Sequence, residues 1–142
     1  MSDFRARDVR IFRPYPDEVP WELLADAGVD DATLATVLAL NFVRVAKHGG
    51  RVVGAYGIRP LTATCFELVA LIVADGYRRR GLGRWLLGHA IGLAETKGAR
   101  EIVARAVGGQ DRRTGARAPS RFLERMGFEP AGDGLRLILT PE

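Results

Sequence analysis

An apolar run that ends in a corner of arginine and glycine constrains this chain more than any other stretch. Residues 67–73 read ELVALIV, and the corner that follows is Arg78-Arg79-Arg80-Gly81-Leu82-Gly83. Strand alternation places Glu67, Val69, Leu71 and Val73 on one face and Leu68, Ala70 and Ile72 on the other. Nearly all are apolar, so both faces need cover, which predicts a central strand. The helix formers Arg84-Trp85-Leu86-Leu87 come directly after the corner. A strand that feeds a glycine turn at a helix start forms a phosphate cradle. Unpaired backbone N–H groups and the positive end of the helix dipole both favour an anion there.

Spacing separates the cradles that share this physics. A dinucleotide fingerprint requires a third glycine where Leu86 stands, and a P-loop requires Lys-Ser/Thr where Leu82-Gly83 stand. What remains is Arg-x-x-Gly-x-Gly, formed by Arg78, Gly81 and Gly83 after a strand ending at Val73. This segment resembles the acyl-CoA-binding motif of the GNAT superfamily, the general N-acetyltransferases. A second segment, Phe122-Leu123-Glu124-Arg125-Met126-Gly127-Phe128, is similar to the aromatic helix closing on Gly-Phe that recurs later in that family. The resemblance covers the whole chain and implies one α/β domain over residues 1–142. Its core is a mixed sheet of six to seven strands flanked by about four helices.

The remaining punctuation agrees with that order. Val9–Pro14 reads as a strand, Trp21–Ala27 and Ala32–Leu40 as helices, and Phe42–Lys47 with Val52–Ile58 as a hairpin across Gly49-Gly50. Cys65–Val73 is the central strand. Leu82–Lys97 is a helix with Leu82, Leu86, Leu87, Ala90, Ile91 and Ala94 as its buried stripe, closed by Gly98. Arg100–Val107 is a further strand, residues 119–126 a last helix, and Leu135–Leu139 closes with one or two strands. Gly88 and Gly92 read as sites of close helix–sheet packing, His89 as a surface residue, and Trp21 and Trp85 as core or rim.

Composition narrows the classes. No apolar stretch approaches the roughly 20 residues that span a bilayer, and the charged start MSDFRARDVR lacks a signal-peptide core. One cysteine, Cys65, suits the cytoplasm, and one Cys with two His excludes the usual four-ligand zinc sites. No membrane partner or metal is expected. The net charge is +4. Residues 15–43 hold acids and no Lys or Arg, whereas 76–125 are strongly basic. This asymmetry suits a polyanionic cofactor on one side and a cationic acceptor on the other. The competing reading is a solvated acidic surface. Interleaved aromatics and recognition motifs for nucleic acid are missing, so no nucleic-acid partner is expected.

The resemblance implies acetyl-CoA or another acyl-CoA as co-substrate. The pantetheine arm would pair with backbone near Leu71 and Val73. The diphosphate would sit on amides of Arg80, Gly81, Leu82, Gly83 and Arg84, with Arg78 and Arg79 adding charge. The basic loop 110–117 either reaches the 3′-phosphate or is solvated. Glu67, eleven residues before Arg78, occupies the spacing of the general-base glutamate of histone acetyltransferases; the bland reading is a carboxylate at the exposed strand end or paired with an arginine. The family's usual thiolate acid, a tyrosine, is replaced here by Leu123, and its accompanying asparagine by Ala116. Tyr56, Tyr77 or water would have to stand in, and a covalent acyl-Cys65 is a minor route. The expected function is direct transfer of an acetyl group to a small-molecule or protein amine, a cationic primary amine. The alternative is a non-catalytic acyl-CoA sensor that regulates a partner protein. Oligomeric state is open.

Overall fold

The computed structural model describes residues 9–20, 31–40, 42–74, 76–77, 81–105, 120–132 and 134–139. Seven strands form one mixed sheet: β1 (Arg10–Phe12), β2 (Val43–His48), β3 (Arg51–Pro60), β4 (Cys65–Val73), β5 (Glu101–Arg105), β6 (Glu129–Ala131) and β7 (Gly134–Ile138). Their order is β1-β2-β3-β4-β5-β7-β6. Three α-helices are seen among the described residues, α1 (Asp31–Ala39), α2 (Leu82–Thr96) and α3 (Ser120–Arg125), with a short 3-10 turn at Pro16–Glu18. The helix expected at Trp21–Ala27 lies outside the described residues.

The first four strands form a meander, since each neighbouring pair is antiparallel. β4 and β5 are parallel and therefore need a crossover, which α2 supplies. The helix covers β3 and β4 with Leu82, Leu86, Leu87, Ala90 and Ala94, all buried. Ile91, the sixth residue of the expected stripe, is half-buried. Both α2 and α3 end in a Schellman motif: Ala99 N–H bonds Ala94 O and Phe128 N–H bonds Leu123 O, each at 3.0 Å. Gly98 (φ 97°) and Gly127 (φ 102°) hold the left-handed position that this closure requires.

Two details depart from the sequence reading. Opposite Gly57 and Ile58, β4 carries one residue too many: Gly57 pairs Ala70 and Ile58 pairs Leu68, so Val69 is a bulge. Directly paired residues share a face. Tyr56 and Ile58 therefore place Leu71 and Leu68 together on the α2 side, while Ala55, Gly57 and Arg59 place Ile72, Ala70 and Glu67 on the opposite side. Glu67 thus lies on the face opposite Leu71 and Val73, whereas simple alternation puts all three on one face. The bulge re-phases the strand.

The second departure concerns the close helix–sheet approach. A Cβ on Gly88 or Gly92 would meet nothing within 4 Å, so neither glycine makes the contact. Gly54 of β3 does. A Cβ there would lie 2.8 Å from Leu86 Cδ1 and 3.0 Å from Ile72 O. α2 sits on the sheet where the strand, not the helix, lacks a side chain.

Candidate active site

β4 and β5 pair only at their starts. Cys65, Phe66 and Glu67 face Glu101, Ile102 and Val103, and among the described residues the ladder goes no further although β4 continues to Val73. The join is reinforced by Arg100 N–H to Thr64 O at 2.7 Å. The two strands then part, with the Val69 bulge just past the last pair adding local twist. Leu71 and Val73 lie on the separated arm, Leu71 buried and Val73 half-buried with its side chain against the core.

The arm leads to the start of α2. Gly81 is its N-cap at φ 85°, ψ 0°, a left-handed conformation that costs a non-glycine residue roughly 1–2 kcal/mol. Trp85 N–H makes the first helical bond, to Gly81 O at 3.0 Å. No side chain caps this end and no acid stands in the first turn. An N-terminus normally attracts acidic residues; here Arg84, exposed, occupies the turn instead. A Cβ on Gly83 would touch Phe122 at 3.6 Å and Val73 Cγ2 at 3.9 Å, ordinary contacts, so the fold does not demand glycine there. Leu82 points into the core, leaving only its backbone for a ligand. Arg78, Arg79 and Arg80 lie outside the described residues, as do Ala116 and the loop 110–117.

Glu67 stands where β4 and β5 part. It is 6% exposed, the one charged residue in the buried class among the described residues. Arg59 Nε, its cross-strand neighbour on β3, donates to Glu67 Oε1 at 2.7 Å. A buried carboxylate requires such a partner. Of the bland alternatives weighed from the sequence, the exposed strand end is ruled out by burial and the pairing with arginine is present; it holds the carboxylate beside the last described β4–β5 pair.

The chain matches the model of the Acetyltransferase (GNAT) family over residues 3–128. It belongs to the GNAT family. No curated sequence matches this GNAT chain. Among solved structures it is similar to Ard1 from Thermoplasma volcanium, with 14% identity, a TM-score of 0.76, and 94% of this chain and 99% of that one covered. It is also similar to an IAA acetyltransferase from Bacillus cereus, with 21% identity, a TM-score of 0.70 and coverages of 92% and 98%. A GNAT acetyltransferase from Elizabethkingia anophelis with acetyl-CoA bound aligns at 19% identity and a TM-score of 0.69, over 87% of this chain and 78% of that one. At such identities the likeness speaks for the fold.

Among the described residues, the side chains weighed as proton donors are buried or engaged. Leu123, in the family's usual tyrosine position, is 1% exposed and packed in the core. Tyr56 is fully buried, and burial pushes its hydroxyl pKa well up, so the hydroxyl stays protonated. Its oxygen is hydrogen-bonded with His89 Nδ1 on α2 at 2.6 Å. Burial, and secondarily the charge of Arg44, holds the His89 pKa down, which favours the neutral imidazole. His89, expected at the surface, is exposed on its helix yet ties that helix to the sheet. The hydroxyl of Tyr77 is held by His48 at 3.1 Å. Trp85 is a rim residue whose indole N–H donates to Val9 O at 3.0 Å.

Cys65 is a poor nucleophile. Burial raises its pKa, and Glu101 adds to the rise by its charge and by accepting the thiol's hydrogen bond, with a smaller contribution from Glu67. The thiol, not the reactive thiolate, is the favoured form. Neither histidine–tyrosine pair was foreseen, because each joins residues far apart in sequence that only the sheet brings together. Among the described residues no group of three potential metal ligands occurs, and no helix is long and apolar enough to cross a membrane.

Proposed function

We propose that this protein is an acyl-CoA-dependent N-acetyltransferase acting on a primary amine by direct transfer. The observation that carries the reading is the parting of β4 from β5 at Glu67, on an arm that ends at an uncapped, acid-free helix start with Gly81 at φ 85°. When bound, acetyl-CoA supplies an activated thioester. Backbone groups of Leu71 and Val73 hold the pantetheine amides in the gap, a role that parted strands suit. The amides of Gly81, Leu82, Gly83 and Arg84 hold the diphosphate, and Arg78, Arg79 and Arg80 supply charge. The lack of a steric need for glycine at 83 supports this cradle, since it leaves close approach of a ligand to the backbone as the reason for glycine there.

Glu67 takes the proton of the attacking amine, directly or through water, while Arg59 keeps its carboxylate in place. The amine nitrogen forms a bond to the acyl carbon as the carbon–sulfur bond breaks, and the departing sulfur is protonated by water. Leu123 offers no proton, and the hydroxyls of Tyr56 and Tyr77 are engaged by histidines. The acidic 15–43 stretch favours a cationic acceptor. Part of that charge serves the fold, because Glu18 pairs with Lys47, leaving Asp17 and Asp31 as exposed acids among the described residues.

The buried Leu123 favours a second reading, an acyl-CoA sensor without turnover. Glu67→Gln separates the two. For the enzyme, steady CoA release in the presence of polyamines or lysine-like amines falls by roughly 100-fold or more, the usual worth of a general base, while acetyl-CoA affinity is kept. Undiminished release would remove Glu67 from the mechanism. Tight acetyl-CoA binding without release for any amine would favour the sensor.

A further inference from the structure

Between the end of β4 and the start of α2, the chain is fixed at two points. Ala74 N–H bonds Val53 O on β3 at 2.8 Å, and Tyr77 N–H bonds Ala74 O at 3.1 Å in a tight turn with Gly76 at φ 90°. The ring of Tyr77 packs against the core, half-buried. Its hydroxyl meets His48 Nδ1 at 3.1 Å, and the two rings stand edge to face with centroids 5.6 Å apart. His48 is the last residue of β2, directly before the Gly49-Gly50 turn. The hairpin tip and the cradle loop thus meet at the same end of the sheet, through the residue immediately preceding Arg78. The second fixed point is Gly81, held as the N-cap of α2. Only three residues, all arginine, separate the two points.

We infer that His48 and Tyr77 are positioning residues for the diphosphate cradle: the β2–β3 hairpin, through their hydrogen bond, sets how the Arg78–Arg84 segment is presented to the diphosphate of CoA. The inference rests on the acyl-CoA reading above. Neither residue touches the ligand. Both act through the loop, since a cradle built from backbone N–H groups binds well only when the chain on each side of it is held. The ring contact orients Tyr77, and the hydroxyl ties it to a strand that belongs to the rigid meander.

Calorimetric titration with CoA and with acetyl-pantetheine, which lacks the diphosphate, tests this on the full chain. Tyr77→Phe keeps the ring and removes the hydroxyl. Its CoA Kd is expected to rise about 3- to 10-fold, the range of one partly buried hydrogen bond, with acetyl-pantetheine affinity unchanged. His48→Ala matches it, His48→Asn restores most of the affinity by offering an acceptor near the Nδ1 position, and the two losses do not add in the double variant. Equal weakening toward both ligands, or CoA affinity untouched in Tyr77→Phe and His48→Ala alike, would overturn the role. A wild-type protein that binds CoA no better than acetyl-pantetheine would overturn the cradle itself, and this positioning role with it.

Discussion

Gly54→Ala introduces a single methyl group at the tightest point of the helix–sheet interface. The new Cβ would lie 3.0 Å from Ile72 O and 2.8 Å from Leu86 Cδ1, with Leu82 Cδ2 at 3.6 Å. Leu86 is fully buried and has little room to rotate. The carbonyl belongs to the adjacent central strand and moves only if the strand moves. Relief requires Leu86, and α2 with it, to shift away and β4 to yield slightly at Ile72, and overpacking of this kind costs about 1–3 kcal/mol. With roughly 2.1 cal/mol/K of unfolding entropy per residue, 142 residues give about 0.3 kcal/mol/K, so a cost of ~2 kcal/mol lowers Tm by about 7 °C. Gly88→Ala is the control. Its methyl meets nothing within 4 Å, and removing a helix-interior glycine stabilises by roughly 0.5–1 kcal/mol. Differential scanning calorimetry of the two variants reads both effects. A Gly54→Ala protein melting with the wild type, or a Gly88→Ala protein melting below it, would refute the packing argument. Since α2 carries Gly81 at its start, Gly54→Ala should also weaken acetyl-CoA binding.

Other outcomes follow from particular contacts. Gly83→Ala should leave Tm unchanged or slightly raised, because the methyl finds ordinary contacts, while CoA affinity measured by calorimetry falls; a loss of stability instead would mean that glycine serves the fold. Gly81→Ala should lose both, destabilised by roughly 1–2 kcal/mol in urea titrations through its left-handed φ of 85°. His89 holds its proton less readily when folded than its ordinary value of 6.5, through burial and Arg44. Its contribution to stability is therefore complete above about pH 6.5 and is lost as pH falls below it, levelling once the folded imidazole is also protonated. Urea midpoints between pH 8 and 5 should show this slope in the wild type and a shallower one in His89→Gln. Tyr56→Phe should cost about 0.5–1.5 kcal/mol, the worth of its bond to His89, with a matching fall in urea midpoint.

The elements were legible where local chemistry decides them. The bounds of β4, Cys65–Val73, and the start of α2 at Leu82 follow from an apolar run and a glycine turn, and the structure has both. The sheet of seven strands is likewise that of the expected fold. The face of Glu67 was not legible. On a strand apolar on both sides, alternation carries no phase, so nothing in ELVALIV betrays the extra residue at Val69. The roles of the glycines were misread for a related reason. Gly88 and Gly92 show helical spacing, but which glycine meets a neighbour depends on the neighbour's position, and Gly54 looks like any strand residue. The glycine turn at the start of α2 was legible through Gly81. The pairs Tyr77–His48 and Tyr56–His89 join residues 29 and 33 apart and emerge only from the register of the sheet.

The short ladder between β4 and β5 also bears on how the molecule opens. Among the described residues three ladder pairs join the meander β1–β4 to the β5–β7–β6 unit, and the connection through α2 is the covalent bridge between them. Cooperative opening tends to follow such seams, so amide exchange should divide the protein into two protection classes along this line. On the proposed reading, acyl-CoA lodged in the seam would bond to one side and wedge against the other. It would then make two units exchange as one, and the place where the sheet is least paired would become the place where it is most firmly closed.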